Sequence, residues 1–406
     1  MTRHAIVIGA GIGGLATALA LHRIGWHATV LERASELGEI GAGMSQAPNA
    51  LRTLDELGVG EQARQAGVPT HATGNLRTAD GRHLQRARPD DPAALLAFHR
   101  ADLHRVLLDA IPDGWVRTGA EVTTIRQDGT SATVDYSGGE LSADLVVAAD
   151  GIGSITRRLL WPDTPPPRFL GRTAWLGIAP FDGLPGSVTL GPGAYFLIHP
   201  LSRARAYWAH ITTADQPEVR YEHEKTEVAR HIRDWHDPIP ALVNATPADA
   251  VIHIDIRDLD PLPTYINGRV ALLGDAAHAM SPDRGQGAGQ SIEDAVVLAA
   301  ALSAEPTLQA ALRRYDTERR PRTQNTARGA RADGRRTTSH ATYRALTTMI
   351  RLTPSALWRK GIDPDSNPTW RWHPPHLPDS RETGTAARGT APRSRAVSGH
   401  RIGRGR

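Results

Sequence analysis

The sequence predicts an α/β fold: a Rossmann-like parallel-sheet domain interrupted by an inserted antiparallel-sheet domain and followed by C-terminal helices. Three observations carry this prediction. Residues 5–32, AIVIGAGIGGLATALALHRIGWHATVLE, run from a short apolar segment through a glycine-rich turn into an apolar helical segment and a second apolar segment. Two later stretches, DLVVAADGIGS at 144–154 and RVALLGDAAHAM at 269–280, repeat the step from buried strand to glycine turn. Between them, residues 168–263 are dominated by alternating segments of the half-buried-strand type.

In the opening stretch, Ala5 to Ile8 fits a buried parallel strand, ending on Gly9, Gly11 and Gly14 in G-x-G-x-x-G spacing with an extra Gly13. Gly9 permits the tight turn, Gly11 lets backbone approach a pyrophosphate, and Gly14 allows close packing of the helix that follows. The free N–H groups and positive dipole end of that helix suit a pyrophosphate. Glu32, eighteen residues beyond Gly14, closes the second strand where a carboxylate accepts ribose hydroxyls and repels a 2′-phosphate. This constellation predicts a bound dinucleotide.

Composition sets the bounds. The chain has 406 residues, 40% of them apolar, enough for two or three domains with a sizeable core. No apolar run approaches the roughly 20 residues that span a bilayer, and Met1 to His4 lead straight into the first strand, so neither a membrane partner nor a signal peptide is expected. Cysteine is absent, which excludes disulfides and thiolate ligands. The expected location is the cytoplasm. Of 47 basic residues only Lys225 and Lys360 are lysines. An arginine skew without an aromatic platform does not point to nucleic acid.

Taken in order, the glycine-rich loop ELGEIGAGMSQAPNA at 36–50 is expected to line a ligand, and Asn49 to Leu57 to form a short helix stopped at Gly58. Residues 70–98 show strand-and-turn patterning. Arg100 precedes an amphipathic helix, Asp102 to Ala110, and Trp115 to Leu141 alternates around a hairpin turn at Gly138-Gly139. Asp150-Gly151 follows a buried strand, with Ser154 capping a helix that carries Arg157. One amphipathic helix, near Glu222 to Trp235, is expected within the antiparallel domain. Trp175, Tyr195, Phe196, Tyr207, Trp208 and His210 are candidates to line a pocket there for a flat organic substrate. Asp275 stands at another strand's carboxyl end, before Pro282-Asp283 and the loop RGQGAG, whose glycines free backbone N–H groups. His278 has no partner at ligand spacing, and no metal site is expected. Pro321 is expected to kink or break an arginine-rich helix beginning near Thr307, and residues from about 374 onward are expected to be disordered.

GAGIGG with Glu32, ADG at 149–151, and GDAAH at 274–278 leading into PDRGQGAG stand in the order and spacing of one family. From residue 3 to about 330 the chain resembles the single-component FAD-dependent aromatic hydroxylases, the family of p-hydroxybenzoate hydroxylase. ERRPRT at 318–323 and GAGMSQAPNA resemble its salicylate hydroxylase, urate hydroxylase and zeaxanthin epoxidase branch. The resemblance implies that Gly9, Gly11, Gly13, Gly14 and Glu32 hold the ADP half of FAD. It implies that Arg33 and Arg100 contact phosphate and ribityl groups, and that Asp150 and Gly151 serve both FAD and a passing nicotinamide. Asp275 would bind the ribityl chain, and Gly285, Gly287, Ala288 and Gly289 would present N–H groups to the flavin pyrimidine ring. NADH or NADPH would be the co-substrate, with no second glycine-rich fold for it.

The implied reaction is an FAD-dependent monooxygenation. NAD(P)H and O2 would be used to hydroxylate a small aromatic or heteroaromatic molecule through a flavin C4a-hydroperoxide, in a monomer or homodimer. Asp283 matches an acid of the urate and salicylate branch and is the candidate base for a phenol, with Tyr207 and His210 as weaker candidates. Two positions depart from the pattern: Gly289 stands where Asn is frequent, and Leu176 stands where many relatives have an arginine that would meet a substrate carboxylate. A flavin oxidoreductase of the same fold without oxygen insertion, and a non-catalytic flavin-binding sensor, are the alternative readings. The expected division is an FAD-binding domain at 1–69, 98–165 and 264–305, a substrate domain at 70–97 and 166–263, a helical region at 306–360 and a disordered tail at 374–406.

Overall fold

The computed structural model describes residues 3–378 apart from 39–41, 72–73, 89–90, 92–94 and 364. Its centre is a six-stranded sheet ordered Ile266–Asn267, Val270–Leu272, Leu145–Ala148, His4–Ile8, His27–Leu31 and Val116–Arg117. All neighbours are parallel except the edge hairpin 266–272. Ala5, Ile6 and Val7 have no exposed surface, as a parallel strand covered on both faces requires. The three strands that precede the sequence's glycine turns thus lie side by side, with their carboxyl ends at one edge.

A second sheet of seven strands holds Ile252–Asp258, Arg168–Pro180, Arg205–Thr213, Ala194–Leu201, Ser187–Gly191, Leu76–Thr78 and His83–Gln85 in that order. Its pairings are antiparallel apart from Ser187–Gly191 with Leu76–Thr78. A small antiparallel sheet joins Gly43–Gln46, Leu95–His99 and Val68–Thr70. It draws strands from both sides of the boundaries expected at 69/70 and 97/98, so the connection between the two large sheets is itself a sheet. Two helices, Glu224–His231 and Ile239–Ala245, stand where one was expected; Pro238 separates them, at the N-cap of the second.

Side-chain parity divides the seven-stranded sheet. Tyr195, Tyr207, Ala209 and Ile211 belong to one apolar cluster, whereas Trp175, Phe196 and Trp208 belong to another, under the helices 224–231 and 239–245. His210 packs among Trp175, Phe196, Trp235 and His231 on that second face. The aromatic residues expected to line one pocket therefore point to opposite faces. Burial and the neighbouring His231 push the His210 imidazole down to about 3, and burial pushes His199 down to about 4.

The helix Gly287–Ala304 is buried almost throughout and carries two acids in its core, Glu293 and Asp294. Arg319, 1% exposed, answers both: Nε donates to Asp294 and Nη1 to Glu293, each at 2.6 Å. His278 bonds Asp294 at 2.6 Å, and Arg322 and Asn49 donate to Glu293 at 2.7 Å. Burial alone would raise the Asp294 carboxyl; His278 and Arg319 outweigh it and hold it low. These contacts explain why the helix Leu308–Thr337 runs uninterrupted through Pro321, against the expected break. Arg319 and Arg322 are anchored on either side of the proline, and Tyr315 and Thr323 bond Leu272 O and Tyr265. Residues 374–378 also differ from the expected disorder: Leu377 is fully buried and its N–H donates to Glu56. The rest of that tail lies outside the described residues.

Two outcomes follow. Arg319→Met strands two buried carboxylates and lowers the unfolding free energy by about 3–5 kcal/mol, measured by denaturant melts; adding Glu293→Gln and Asp294→Asn recovers part of the loss, because the penalty is uncompensated charge. For His210, the unfolded ring titrates near 6.5 and the folded ring near 3, so the unfolded state binds more protons between these values. Stability falls as pH drops through that window, by up to about 1.4 kcal/mol per unit. His210→Phe flattens that slope by one proton's share in melts at successive pH values.

Candidate functional site

The carboxyl edge of the parallel sheet opens into a cavity of about 480 Å³. Gly9, Gly11, Gly13, Glu32, Arg33, Arg100, Asp150, Gly151, Asp275 and Ala288 all line it, so residues far apart in sequence converge on one space. The glycines serve different constraints. Gly9 has φ +99°, and a Cβ there would stand 2.5 Å from the Ala149 carbonyl oxygen. A Cβ on Gly14 would overlap the Gly9 carbonyl, so Gly14 shapes the turn from behind and does not face the cavity. A Cβ on Gly11 would meet no protein atom within 4 Å and would project into the open space. Gly11 is the N-cap of helix Ile12–Arg23 and offers no side-chain cap, which leaves that terminus's N–H groups for a ligand.

The acids are placed with equal economy. Glu32 accepts the Ala10 N–H at 2.8 Å and the Ala34 N–H at 2.9 Å, tying the glycine turn to the end of the second strand. One Asp150 oxygen accepts the Thr156 N–H and hydroxyl, each at 3.1 Å; the other is buried at the cavity without a protein partner. Asp275 follows Gly274, whose φ of +60° turns the chain out of strand Val270–Leu272. Arg157 is structural: its guanidinium donates to Ala276 O at 2.8 Å and to Ile152 O, and burial lowers its pKa. Its neighbour Arg158 lines the cavity instead.

In the loop 284–289 only Ala288 reaches the cavity. Gly285 has φ +59° and lies by Ser45, a Cβ on Gly287 would lie 3.9 Å from Asp275, and one on Gly289 would press on Ala50 and Gln46 at 3.2 and 3.3 Å. Gly289 thus packs closely against Gln46 and helix Pro48–Glu56, and a larger residue there would need these neighbours to give by a few tenths of an ångström. Of the loop 36–50, Ala42, Gly43 and Met44 line the cavity, and 39–41 lie outside the described residues.

The three catalytic candidates separate. Asp283 is held by Arg172, Nη1 to Oδ1 and Nη2 to Oδ2, both at 2.9 Å. It also accepts the Tyr195 hydroxyl at 3.1 Å and the Ser281 hydroxyl. A carboxylate offers about four lone-pair sites, and four donors take them, so the expected free base is a paired anion. Both side chains of the pair are 3% exposed. They rest on Gly334, where any Cβ would overlap them. His210 lies on the opposite face of the sheet and cannot meet a substrate at this cavity. Tyr207 remains: its ring covers Gly43, a cavity residue whose Cβ it would displace. Burial raises its hydroxyl pKa, which keeps the phenol protonated.

Sequence reasoning missed Arg172, the packing of Tyr207 on Gly43, and the cavity residues Ala120, Glu121 and Val122, whereas Gly43 itself lies in the loop expected to line a ligand. An arginine opening an otherwise apolar strand, 172–179, was the available signal for the first.

The cavity fits a dinucleotide: it has glycine backbone along its wall, acids after three of the strands (Glu32, Asp150 and Asp275), a helix N-terminus without a cap and one orphaned carboxylate oxygen. Comparison with known proteins agrees. A family model described as an FAD binding domain matches residues 2–330. The aurachin C monooxygenase/isomerase of Stigmatella aurantiaca is 36% identical over 324 residues, 77% of this chain and 84% of that protein. The 3-amino-4-hydroxybenzoate 2-monooxygenase PtmB3 of Streptomyces platensis is 35% identical over 347 residues, covering 81% and 87%. Among solved structures, Klebsiella pneumoniae HpxO complexed with FAD and uric acid superposes with a TM-score of 0.81 at 29% identity, covering 89% of this chain and 95% of that one. With its parallel-sheet cavity, inserted antiparallel sheet and terminal helices, this chain belongs to the single-component FAD-dependent aromatic hydroxylases and is an FAD-dependent monooxygenase.

Proposed function

We propose that the chain uses NAD(P)H and O2 to oxygenate a small aromatic or heteroaromatic compound that carries no carboxylate. Bound FAD would take a hydride from the nicotinamide and deliver one oxygen atom of O2 to the substrate ring. The N–H groups at Gly11 and the helix behind it would meet the pyrophosphate, with Arg33 and Arg100 as its cations. Glu32 would accept ribose hydroxyls, and Asp150 and Asp275 would take the remaining hydroxyl and ribityl donors. Ala288 would bring backbone N–H to the pyrimidine end of the ring.

The observation that carries the substrate reading is the charge balance of the sheet face turned to the FAD-binding domain. Leu176 replaces the expected arginine there, and Leu176, Ile178, Leu197, Tyr195 and Tyr207 share one apolar cluster. Of the arginines at that parity on the neighbouring strands, Arg172 is spent on Asp283 and Arg205 on Asp102. A substrate carboxylate would lose its hydration with no counter-charge, whereas a neutral ring would lose little. Asp283 orients the loop and the Tyr195 hydroxyl. Tyr207 can donate to a substrate oxygen but not remove its proton. Among the relatives, HpxO with uric acid illustrates a fused ring without a carboxyl group, and PtmB3 a benzoate. The uncharged face favours a ring that is neutral when bound, which a benzoate is not and which uric acid is only in its protonated form.

Gly11→Ala is expected to fold with an unchanged apoprotein melting temperature and to bind FAD at least about tenfold more weakly, by titration of flavin fluorescence, since its Cβ enters the cavity alone. Aerobic turnover of the FAD-loaded protein with NADH and NADPH across paired phenols, quinolines and purines, with and without a carboxyl group, tests the function. The carboxyl-free members should stimulate cofactor oxidation and yield a product heavier by one oxygen atom. Leu176→Arg should shift stimulation toward the carboxylates by about tenfold or more, the scale of one desolvated ion pair. Stimulation by carboxylates alone in the unaltered protein sinks the proposed substrate class, and peroxide as the sole product sinks oxygen insertion.

A further inference from the structure

We propose that the corner formed by helices His340–Leu352 and Ser355–Ile362 docks on an anionic membrane surface. The inner side of the first helix is fixed: Ile350 is buried, and Tyr343 and Leu346 pack against the apolar cluster to which Leu84, Tyr195 and Tyr207 belong. Gln85 donates to the carbonyls of Ile350 and Thr353 at 2.8 and 2.9 Å. The outer side is apolar and bare. Met349 and Leu352, three residues apart on one face, are 58% and 72% exposed, and Leu357 on the next helix is 61% exposed. Elsewhere among the described residues the large apolar side chains classed as exposed are Leu159, Val219, Tyr221 and Ile254, scattered and none above 42%. Single exposed leucines are ordinary; three concentrated on one corner are not.

Charge identifies the occupant. Residues 340–362 contain Arg344, Arg351, Arg359 and Lys360 and no acid. Asp363 and Asp365 follow, and residues 366–406 add eight arginines against Asp379 and Glu382. Apolar side chains flanked by cations match a surface-lying amphipathic anchor, which buries its apolar face at the acyl boundary and pairs its cations with anionic headgroups. A second copy of this chain is the poorer occupant, because a twofold contact through this corner brings like charges together. The absence of a spanning helix among the described residues bears on crossing a bilayer and not on lying upon one. The corner also roofs the sheet face that carries Tyr195 and Tyr207, so docking would set that roof on the lipid.

The test uses full-length FAD-loaded protein sedimented with vesicles of phosphatidylcholine alone or with about one quarter phosphatidylglycerol. The protein should bind the anionic vesicles, and raising salt to about 0.5 M should weaken that binding. Leu352→Asp with Leu357→Asp should lower the bound fraction about tenfold while leaving melting temperature, FAD content and turnover of water-soluble substrates unchanged. Arg351→Gln with Lys360→Gln, which disturbs no packing, should lower it about threefold or more on anionic vesicles only. No binding to anionic vesicles overturns the proposal. So does equal binding by the double aspartate variant, or a concentration-dependent dimer, seen by light scattering, that this variant abolishes. None of these outcomes depends on which substrate the site takes.

Discussion

The buried contact between Arg319 and the adjacent acids Glu293 and Asp294 is the constraint on which the rest of the molecule depends. Two neighbouring carboxylates inside an apolar helix are tolerable only with a fixed cation, and Arg319 is brought there by a helix from the other end of the chain. The same Asp294 accepts the Gly274 N–H at 3.0 Å and bonds His278. The turn that presents Asp275 to the cavity is therefore held by the charge cluster below it. Glu293 in turn holds Asn49 and, through Gln290, the region of Gln286. One ion cluster thus sets the position of the helix Gly287–Ala304, the 274–278 turn and the 284–289 loop, three walls of the flavin site.

Much of the architecture was legible because it rests on local rules. Buried parallel strands are continuous apolar runs, and their glycine turns are required by backbone contacts within the turn, as Gly9 and Gly14 show. Glu32 was legible for the same reason: its place at a strand end follows from spacing. The tertiary partners were not. His278 was read as a satisfied structural histidine, but its partner could not be named, because Asp294 lies sixteen residues on, across a helix whose burial the sequence does not display. Pro321 was read as a kink or a break because propensity is a local quantity; the break does not occur, since Arg319, Arg322 and Thr323 on its flanks are held by partners outside the helix.

Two of the catalytic candidates are separated by something else, which is parity. Tyr207 and His210 are three residues apart on one strand and so emerge on opposite faces. Aromatic composition alone could not assign a face; the alternation across Ala206–Ile211 could, once the buried cluster under helices 224–231 and 239–245 fixed which face was which. Asp283 was legible as a loop carboxylate, but its partner Arg172 comes from a strand 111 residues away. A loop carboxylate and a strand arginine carry no joint signature in a single sequence.

That pairing also bears on how selectivity arises in this fold. The sheet offers its substrate-facing positions at fixed parity, and any of them can carry the cation that selects an acidic ring. Here Leu176 leaves one such position apolar, and the arginine two turns of the pleat earlier is neutralised by Asp283 and seated on Gly334. Gly334 belongs to the same helix as Arg319. The helix that anchors the flavin walls at one end therefore clamps the Arg172–Asp283 pair at the other, and a side chain at 334 would push that pair apart. Charge balance on the substrate face and rigidity of the cofactor face are consequently properties of a single element, lying wholly outside the glycine motifs by which the chain is first recognised.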